Sequence, residues 1–481
     1  MNKKLVAKIL GIILACESLC LLVPMVIGLL CGDHRGGVFA LTSALCILAA
    51  LPLLRLDVSG ERMQTRDGFA AVALGWIVLS LFGALPYFFA GCCSYVDAFF
   101  ETVSGFTTTG ATIFSSPASL PCSIQFWRAM TQWMGGMGVL VLLLALLPKI
   151  GEGSVNLMKA ESPGPIASKL LPRTNDTAKV LYSIYICLTV CETLLLRIAG
   201  MPWFDAVTTS LTTISTGGFS IRNESIAYYG SEPIYWIINF FMFVSAVNFS
   251  LLYLLFVKRS LRETLKSEEL HTYVAIVVTA VLSIALCLML TEGFGGYESI
   301  SLATFQVLSL MSTTGFATTD FSLWPQFAQM VLILVMFVGG CAGSTAGGIK
   351  VSRIVLLAKN LRRDLRRIIH PREIRAIMLD GQRVEEPTLS STSLFLFAYI
   401  SITLVCAAVV SLDGVDFTTS FSAALTTISN VGPGFGAIGP LFNFSFFSNF
   451  SKLVLSFTML FGRLEIFPLL VLLYPALWRK R

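Results

Sequence analysis

Charge is scarce in this chain. Only 13% of its 481 residues are Asp, Glu, Lys or Arg, against 55% hydrophobic. That balance excludes a string of ordinary soluble domains and fits a polytopic membrane protein. Histidine is scarcer still: His34, His271 and His370 are scattered, which gives no spacing for a metal site or a shared catalytic role. Neither a dinucleotide fingerprint after a strand nor a P-loop is found, and no catalytic triad or carboxylate dyad stands out, so the expectation is a chain that is not an enzyme. Twelve cysteines need not form a disulfide framework, because Cys187, Cys191, Cys287 and Cys406 lie inside apolar runs where cysteine acts as a small hydrophobe. Cys92, Cys93 and Cys122 fall on the expected outer face, with no pairing fixed by the sequence. The net charge of +6 is no nucleic-acid signal, since its placement follows membrane topology.

What the chain does have is one phrase in four versions. Leu211–Gly218 (LTTISTGG), Leu425–Gly432 (LTTISNVG), Leu308–Gly315 (LSLMSTTG) and Val103–Gly110 (VSGFTTTG) align without a gap. Their final glycines recur about every hundred residues, each between two long apolar stretches. Isolated Ser/Gly segments are ordinary turns; four in register in the same slot point to one shared structure.

Apolar runs near the ~20 residues that cross a bilayer set the expected organisation, an all-α membrane fold. An N-terminal hairpin, Leu5–Leu30 and Val38–Leu54, occupies residues 1–60. Four units follow at 61–150, 151–265, 266–385 and 386–481, each an apolar helix, a short segment ending in the phrase, and a second apolar helix. The short segments, Asp97–Gly110, Asp205–Gly218, Ser301–Gly315 and Asp416–Gly432, cannot span; they suit re-entrant half-helices, which survive at membrane depth where they line a cavity or are buried in protein. The second helices are expected at Phe126–Leu147, Ile234–Val257, Phe327–Lys350 and Leu453–Tyr474, for ten spans in all. With a cytoplasmic N-terminus, 28 of the 34 Lys and Arg fall on the inner side, as the positive-inside rule requires, and every phrase is entered from outside.

A dehydrated alkali cation needs several oxygens in place of its water, and carbonyls from four loops around one axis supply them. Glycine at the crossing point allows the backbone angles this demands. The expected filter is Thr108, Thr109 and Gly110; Thr216, Gly217 and Gly218; Thr313, Thr314 and Gly315; Asn430, Val431 and Gly432, with hydroxyl or amide oxygens from Thr107, Ser215, Ser312, Ser429 and their neighbours adding to the carbonyls. The residue before the glycine differs in each loop, so the site is expected to be less strict than four identical loops.

Two further features sit deep in the membrane. The run Gly339–Gly348 (GGCAGSTAGG) is too glycine-rich for a continuous helix, at roughly 1 kcal/mol per Gly relative to Ala. Gly339, Gly340, Gly343, Ser344, Gly347 and Gly348 are therefore expected to form a flexible gating loop under the filter. Arg463 lies within the last apolar helix, where an arginine costs at least ~2.5 kcal/mol, and is expected to face the pore as a barrier, with Glu465 as candidate partner. Glu17 reads as a structural hydrogen bond or a lipid-edge contact, and Lys350–Arg375 as a basic amphipathic stretch that holds anionic lipid, docks a partner or is simply a solvated charged face.

TTTGAT (Thr107–Thr112), STGGFS (Ser215–Ser220), STTGFATTDF (Ser312–Phe321) and SNVGPGFG (Ser429–Gly436) resemble the TrkH/TrkG/KtrB superfamily of potassium transporters, over Phe69 to the C-terminus. The extra hairpin resembles its TrkH branch. The resemblance implies potassium uptake across the cell (inner) membrane through a gated, channel-like pathway, with potassium as the ion held by the filter and both termini cytoplasmic. It also implies a homodimer, a cytosolic NAD- or ATP-binding partner of TrkA type, and no nucleic acid. In plant relatives a serine at the first filter glycine goes with sodium preference; Gly110 here goes with potassium. A sodium-permeable or sodium-coupled transporter of the same fold is the alternative, and a non-transporting membrane sensor a more distant one.

Overall fold

The computed structural model describes residues 1–33, 35–58, 63–138, 174–373, 376–475 and 478. The expected second helix of unit one beyond residue 138, most of the Lys149–Lys179 basic segment, and Arg62, Arg375 and Arg479–Arg481 lie outside them.

Among the described residues six helical stretches are long and apolar enough to cross a membrane: Lys3–Leu30, Gly36–Leu54, Thr65–Phe89, Asp176–Ile198, Glu268–Thr291 and Glu386–Asp413. They are the N-terminal hairpin and the first helix of each unit. Their faces follow from the solvent they meet. On Glu268–Thr291, Val278, Leu282, Leu286 and Leu290 point outwards while Val277, Ile284 and Leu288 are buried, a helix apolar all round with one side for lipid and one for protein. The hairpin is held by close approach at small residues. A Cβ on Gly11 would meet Leu53 Cβ at 2.8 Å, and one on Gly75 would meet Ile13 Cδ1 at 2.7 Å, the small-residue packing that lipid-embedded helices rely on.

The second helices depart from the ten-span expectation. None of them is one straight span in the described residues. Unit one's runs Cys122–Gly136. Unit two's is the pair Glu232–Ser245 and Phe249–Phe256, bent by 104°. Unit three's stops at Val338 and resumes at Val351. Unit four's stops at Arg463 and resumes at Phe467. The reason is steric in two units: a Cβ on Gly135 would strike the Phe106 carbonyl, and one on Gly462 the Ile428 carbonyl. Both carbonyls belong to pore-helix ends. These chains thus reach the pore-helix ends at glycine and turn there.

Between first and second helices lie the re-entrant pore helices Tyr95–Phe106, Trp203–Ile214, Gly296–Met311 and Phe417–Ser429. Each packs against the second helix of the preceding unit, the first against that of unit four. The units therefore close a ring in chain order. Lys452, at the start of unit four's second helix, seals it with a 2.6 Å ion pair to Asp97 in the first pore helix. The rest is modest: a two-stranded hairpin pairs Met378 with Arg383 on the segment after Val351–Ile369, and all twelve cysteines are free thiols.

Glu17 is fully buried, with neither carboxylate oxygen bonded among the described residues, so it is neither the hydrogen bond nor the lipid-edge contact expected of it.

One charged pair inside this assembly escaped the sequence reading. Arg128 Nε donates to Glu101 Oε1 at 2.8 Å, both side chains at most 2% exposed. Glu101 also accepts from the Ile113 amide at 2.9 Å and the Thr112 hydroxyl at 2.9 Å, while Arg128 donates to the Ser220 carbonyl at 3.1 Å and lies over the Phe219 ring at 4.3 Å. The pair straps the first re-entrant loop to the second. Breaking one side strands a buried charge, so Arg128→Met is expected to cost roughly 3–5 kcal/mol, seen as a lower melting temperature of the detergent-solubilised protein. Adding Glu101→Gln should restore part of that loss.

Candidate functional site

The four pore helices end in one motif. The amides of Thr109, Gly217, Thr314 and Val431 each donate five residues back, to the carbonyls of Ser104, Thr212, Ser309 and Thr426, at 2.8–2.9 Å. This is a Schellman ending, whose left-handed residue closes the helix. That residue is Thr108 (φ +55°), Thr216 (+54°), Thr313 (+60°) and Asn430 (+56°). Asparagine takes this conformation readily; threonine, branched at Cβ, does so under strain of order 1–3 kcal/mol, the kind concentrated at functional sites. Two residues on, Gly110, Gly218, Gly315 and Gly432 return to positive φ at +82°, +74°, +81° and +97°. The residue between is not left-handed, so handedness alternates along each loop.

The loops interlock. A Cβ added to Gly110 would collide with the carbonyl oxygen of Gly217, one on Gly218 with that of Thr314, one on Gly315 with that of Val431, and one on Gly432 with that of Thr109 at 2.6 Å. Every glycine thus receives the carbonyl preceding the next loop's glycine, and the fourth returns to the first. The glycines are fixed twice over, by angle and by space. The predicted filter residues all converge on this ring, and their outer side opens into a mouth of about 80 Å³ lined by all four glycines, Arg128 and Asn443.

The side chains of the phrases are bonded within and between the loops. Thr107 Oγ1 and Thr109 Oγ1 share a 2.8 Å bond, as do Ser312 Oγ and Thr314 Oγ1 at 2.7 Å. Ser215 Oγ donates to the Leu211 carbonyl at 2.8 Å, Thr216 Oγ1 to the Ser215 carbonyl at 2.6 Å, and Ser429 Oγ bonds Tyr399 Oη at 2.6 Å. Asn430 Nδ2 donates to Thr109 Oγ1 and to the Met459 carbonyl, both at 2.9 Å. These bonds hold the loops in shape around the backbone carbonyls, while Asn430 Oδ1 is buried with no hydrogen-bond partner among the described residues. Pore-helix C-termini pointing the same way add a negative potential. At the far end of the last pore helix the Thr419 hydroxyl bond holds the Asp416 carboxyl below its ordinary range, partial burial opposing it, so the helix keeps a negative N-cap.

Beneath the ring lies the run Gly339–Gly348, a plug bonded to the segments around it. The Gly347 amide donates to Thr313 Oγ1 at 2.7 Å, the Gly348 amide to the Ser429 carbonyl at 3.0 Å, and Thr345 Oγ1 to the Ile214 and Ser245 carbonyls at 3.2 Å. Gly339, Gly343 and Gly348 stand at φ +70°, +70° and +77°. A Cβ on Gly340 would come within 2.6 Å of Ala346 Cβ, and Ser344 Oγ donates to the Cys341 carbonyl at 2.6 Å. The elbow of unit two clasps the run: Cys341 N donates to Ala246 O at 2.9 Å and Phe249 N to Gly343 O at 3.0 Å. Glu269 Oε1 accepts from Ala342 N at 2.6 Å and Ser352 N at 3.0 Å, holding the run and the start of the helix after it.

Arg463 completes the underside. It donates to Thr345 O in the plug at 2.8 Å, to Thr108 Oγ1 in the filter at 3.3 Å, to Gly135 O at 2.5 Å and to Gly136 O. The Glu465 carboxylate pairs with Arg353 at the start of the helix Val351–Ile369, and Glu465 (φ +53°) and Ile466 (φ +69°) turn the chain at the break. Loops one and three, opposite each other in the ring, are thus tied below by Arg463 and by Gly347.

The family model described as "TrkH: Cation transport protein" matches residues 36–480. The Trk system potassium uptake protein TrkH of Escherichia coli K12 is 39% identical over 486 residues, covering 100% of both chains, and that of Salmonella typhimurium LT2 is 38% identical with the same coverage. TrkG of Escherichia coli K12, also named a Trk system potassium uptake protein, is 33% identical over 99% of each chain. The crystal structure of the potassium transporter TrkH from Vibrio parahaemolyticus superposes with a TM-score of 0.90 at 36% identity, covering 100% of both chains.

A cation held in the ring stabilises the folded state by mass action, so potassium should raise the melting temperature of the solubilised protein. With Gly218→Ala, whose Cβ has no space, that potassium-dependent rise is expected to vanish in the same melting assay.

Proposed function

The chain belongs to the TrkH cation-transport family, and on that premise we propose that it takes up potassium through a gated, channel-like pore across the cell membrane. The observation that supports this most is the closed ring in which each loop's glycine receives the next loop's carbonyl; relatives named for potassium uptake match it end to end. Potassium is the transported ion. The carbonyls of Thr108–Gly110, Thr216–Gly218, Thr313–Gly315 and Asn430–Gly432 replace its water, and the four units at 61–150, 151–265, 266–385 and 386–481 each give one loop. The driving force is the membrane potential, ~2.3 kcal/mol per charge at 100 mV, or roughly fifty-fold accumulation. No covalent step is needed.

The plug 339–348 and Arg463 are the gate. Arg463 sets a fixed positive charge below the filter and bonds it to the plug, so a cation passes only when those contacts part. The cytoplasmic face suits a soluble regulatory subunit that binds NAD or ATP: the helix Val351–Ile369 exposes Arg362 and Arg366 there, while Lys359 and Arg363 are engaged by Glu268 and Glu386. The working form in this reading is a homodimer in the inner membrane with both termini cytoplasmic.

Two experiments test this. Arg463→Ala is expected to raise basal rubidium flux in liposomes several-fold, and equal or lower flux from well-folded protein would count against the gate. In a potassium-uptake-deficient strain the wild-type gene should restore growth at low potassium and Gly218→Asp should not; rescue by that mutant would sink the filter.

A further inference from the structure

The second helices end in a repeated tetrapeptide. Met242–Ser245 reads MFVS, Met336–Gly339 MFVG and Met459–Gly462 MLFG; unit one reads QWMG, Gln132–Gly135. In units one and four the register is structural as well as textual. Gly135 and Gly462 each abut the carbonyl four residues before a filter glycine, Phe106 and Ile428. All four first positions, Gln132, Met242, Met336 and Met459, are fully buried. Three units thus carry a buried methionine at this position, and unit one alone carries a carboxamide.

That carboxamide reaches into the neighbouring loop and spans its glycine. Gln132 Nε2 donates to the Gly217 carbonyl at 2.6 Å, and Gln132 Oε1 accepts from the Phe219 amide at 3.0 Å. The side chain fits so closely that a Cβ on Gly217 would meet its Cδ at 2.4 Å, which explains the glycine before Gly218 in this loop. The Gly217 carbonyl is one of the four that close the ring; for the other three no hydrogen-bond donor is found among the described residues.

Resting on the transport reading above, we infer that Gln132 is a specificity-determining positioning residue of the filter. Its amide weakens and fixes one carbonyl of the four, and so biases the ring towards the larger alkali cation. A carbonyl already accepting a hydrogen bond offers a cation less field. Sodium, small and strongly hydrated, gains more than potassium from strong, close oxygens, so it loses more when one is weakened. Gln132 does not meet the ion; it acts through Gly217 and Phe219. The fixed register of loop two comes from the same two bonds.

Gln132→Met installs the residue the other three units use, at nearly the same volume, and removes both bonds. In liposomes the competing sodium and rubidium fluxes of this variant should give a sodium-to-rubidium ratio about tenfold above wild type, the weight of one hydrogen bond, while total flux persists. A ratio within about twofold of wild type from monodisperse protein overturns the inference. Gln132→Glu keeps the acceptor for Phe219 but sets a carboxylate against the Gly217 carbonyl. It should shift the ratio too, and if Gln132→Met does not fold, an unchanged ratio in Gln132→Glu overturns the inference instead. Wild-type protein that moves no rubidium would sink the transport reading. The melting rise in potassium relative to sodium would then decide Gln132 alone, lost in Gln132→Met if the inference holds and retained if it fails.

Discussion

Everything in this molecule answers to one steric fact: at four places the chain comes so close to a neighbouring carbonyl that no side chain fits. A ring built this way has no slack. Each loop is positioned by the next, so the pore helices must end in the same motif and at the same depth. The strain of three left-handed threonines is tolerable only because the ring and the helix endings over-determine those residues. Hydroxyls that look like ion ligands are consumed in keeping the loops shaped.

The second consequence is seen below the ring. Second helices that pass close under a filter cannot run straight past it, and in this chain each turns or stops near there. The breaks free backbone groups at membrane depth, where unsatisfied polar groups are costly, and the molecule answers each one. The elbow of unit two bonds the plug, Glu269 takes the amides of Ala342 and Ser352, and Arg463 collects carbonyls from units one and three. Arg463 is thus no foreign charge in a hydrocarbon core. It is the donor that a set of interrupted helices needs.

Much of this was legible in the sequence, and what was not has a physical cause. Four phrases in register and the sorting of basic residues are properties of single segments, so the all-helical membrane fold, the re-entrant loops and the convergence of the filter glycines could be read from them. The uninterrupted spans could not be told from the broken ones, because hydropathy records what a segment touches and not whether it bends. Gly135 and Gly462 carried the signal, but only once paired with Phe106 and Ile428 across the fold. Long-range partnerships were hidden for the same reason. Glu465 is two residues from Arg463 yet bonds Arg353, separated by 112 positions. Glu101 and Arg128 were plain members of apolar stretches. Gln132 was one glutamine in a helix until its counterparts in the other units were lined up as methionines.

The order of closure also bears on how the protein is made. The ring's last contacts join loop four to loop one: Asn430 to Thr109 across 321 positions, and Lys452 to Asp97 across 355. Contacts so distant along the chain form late, and here they wait for the final unit to leave the ribosome and enter the bilayer. Until then three loops stand with an open flank and no continuous path for an ion. Assembly from one polypeptide makes conduction the last property the protein acquires.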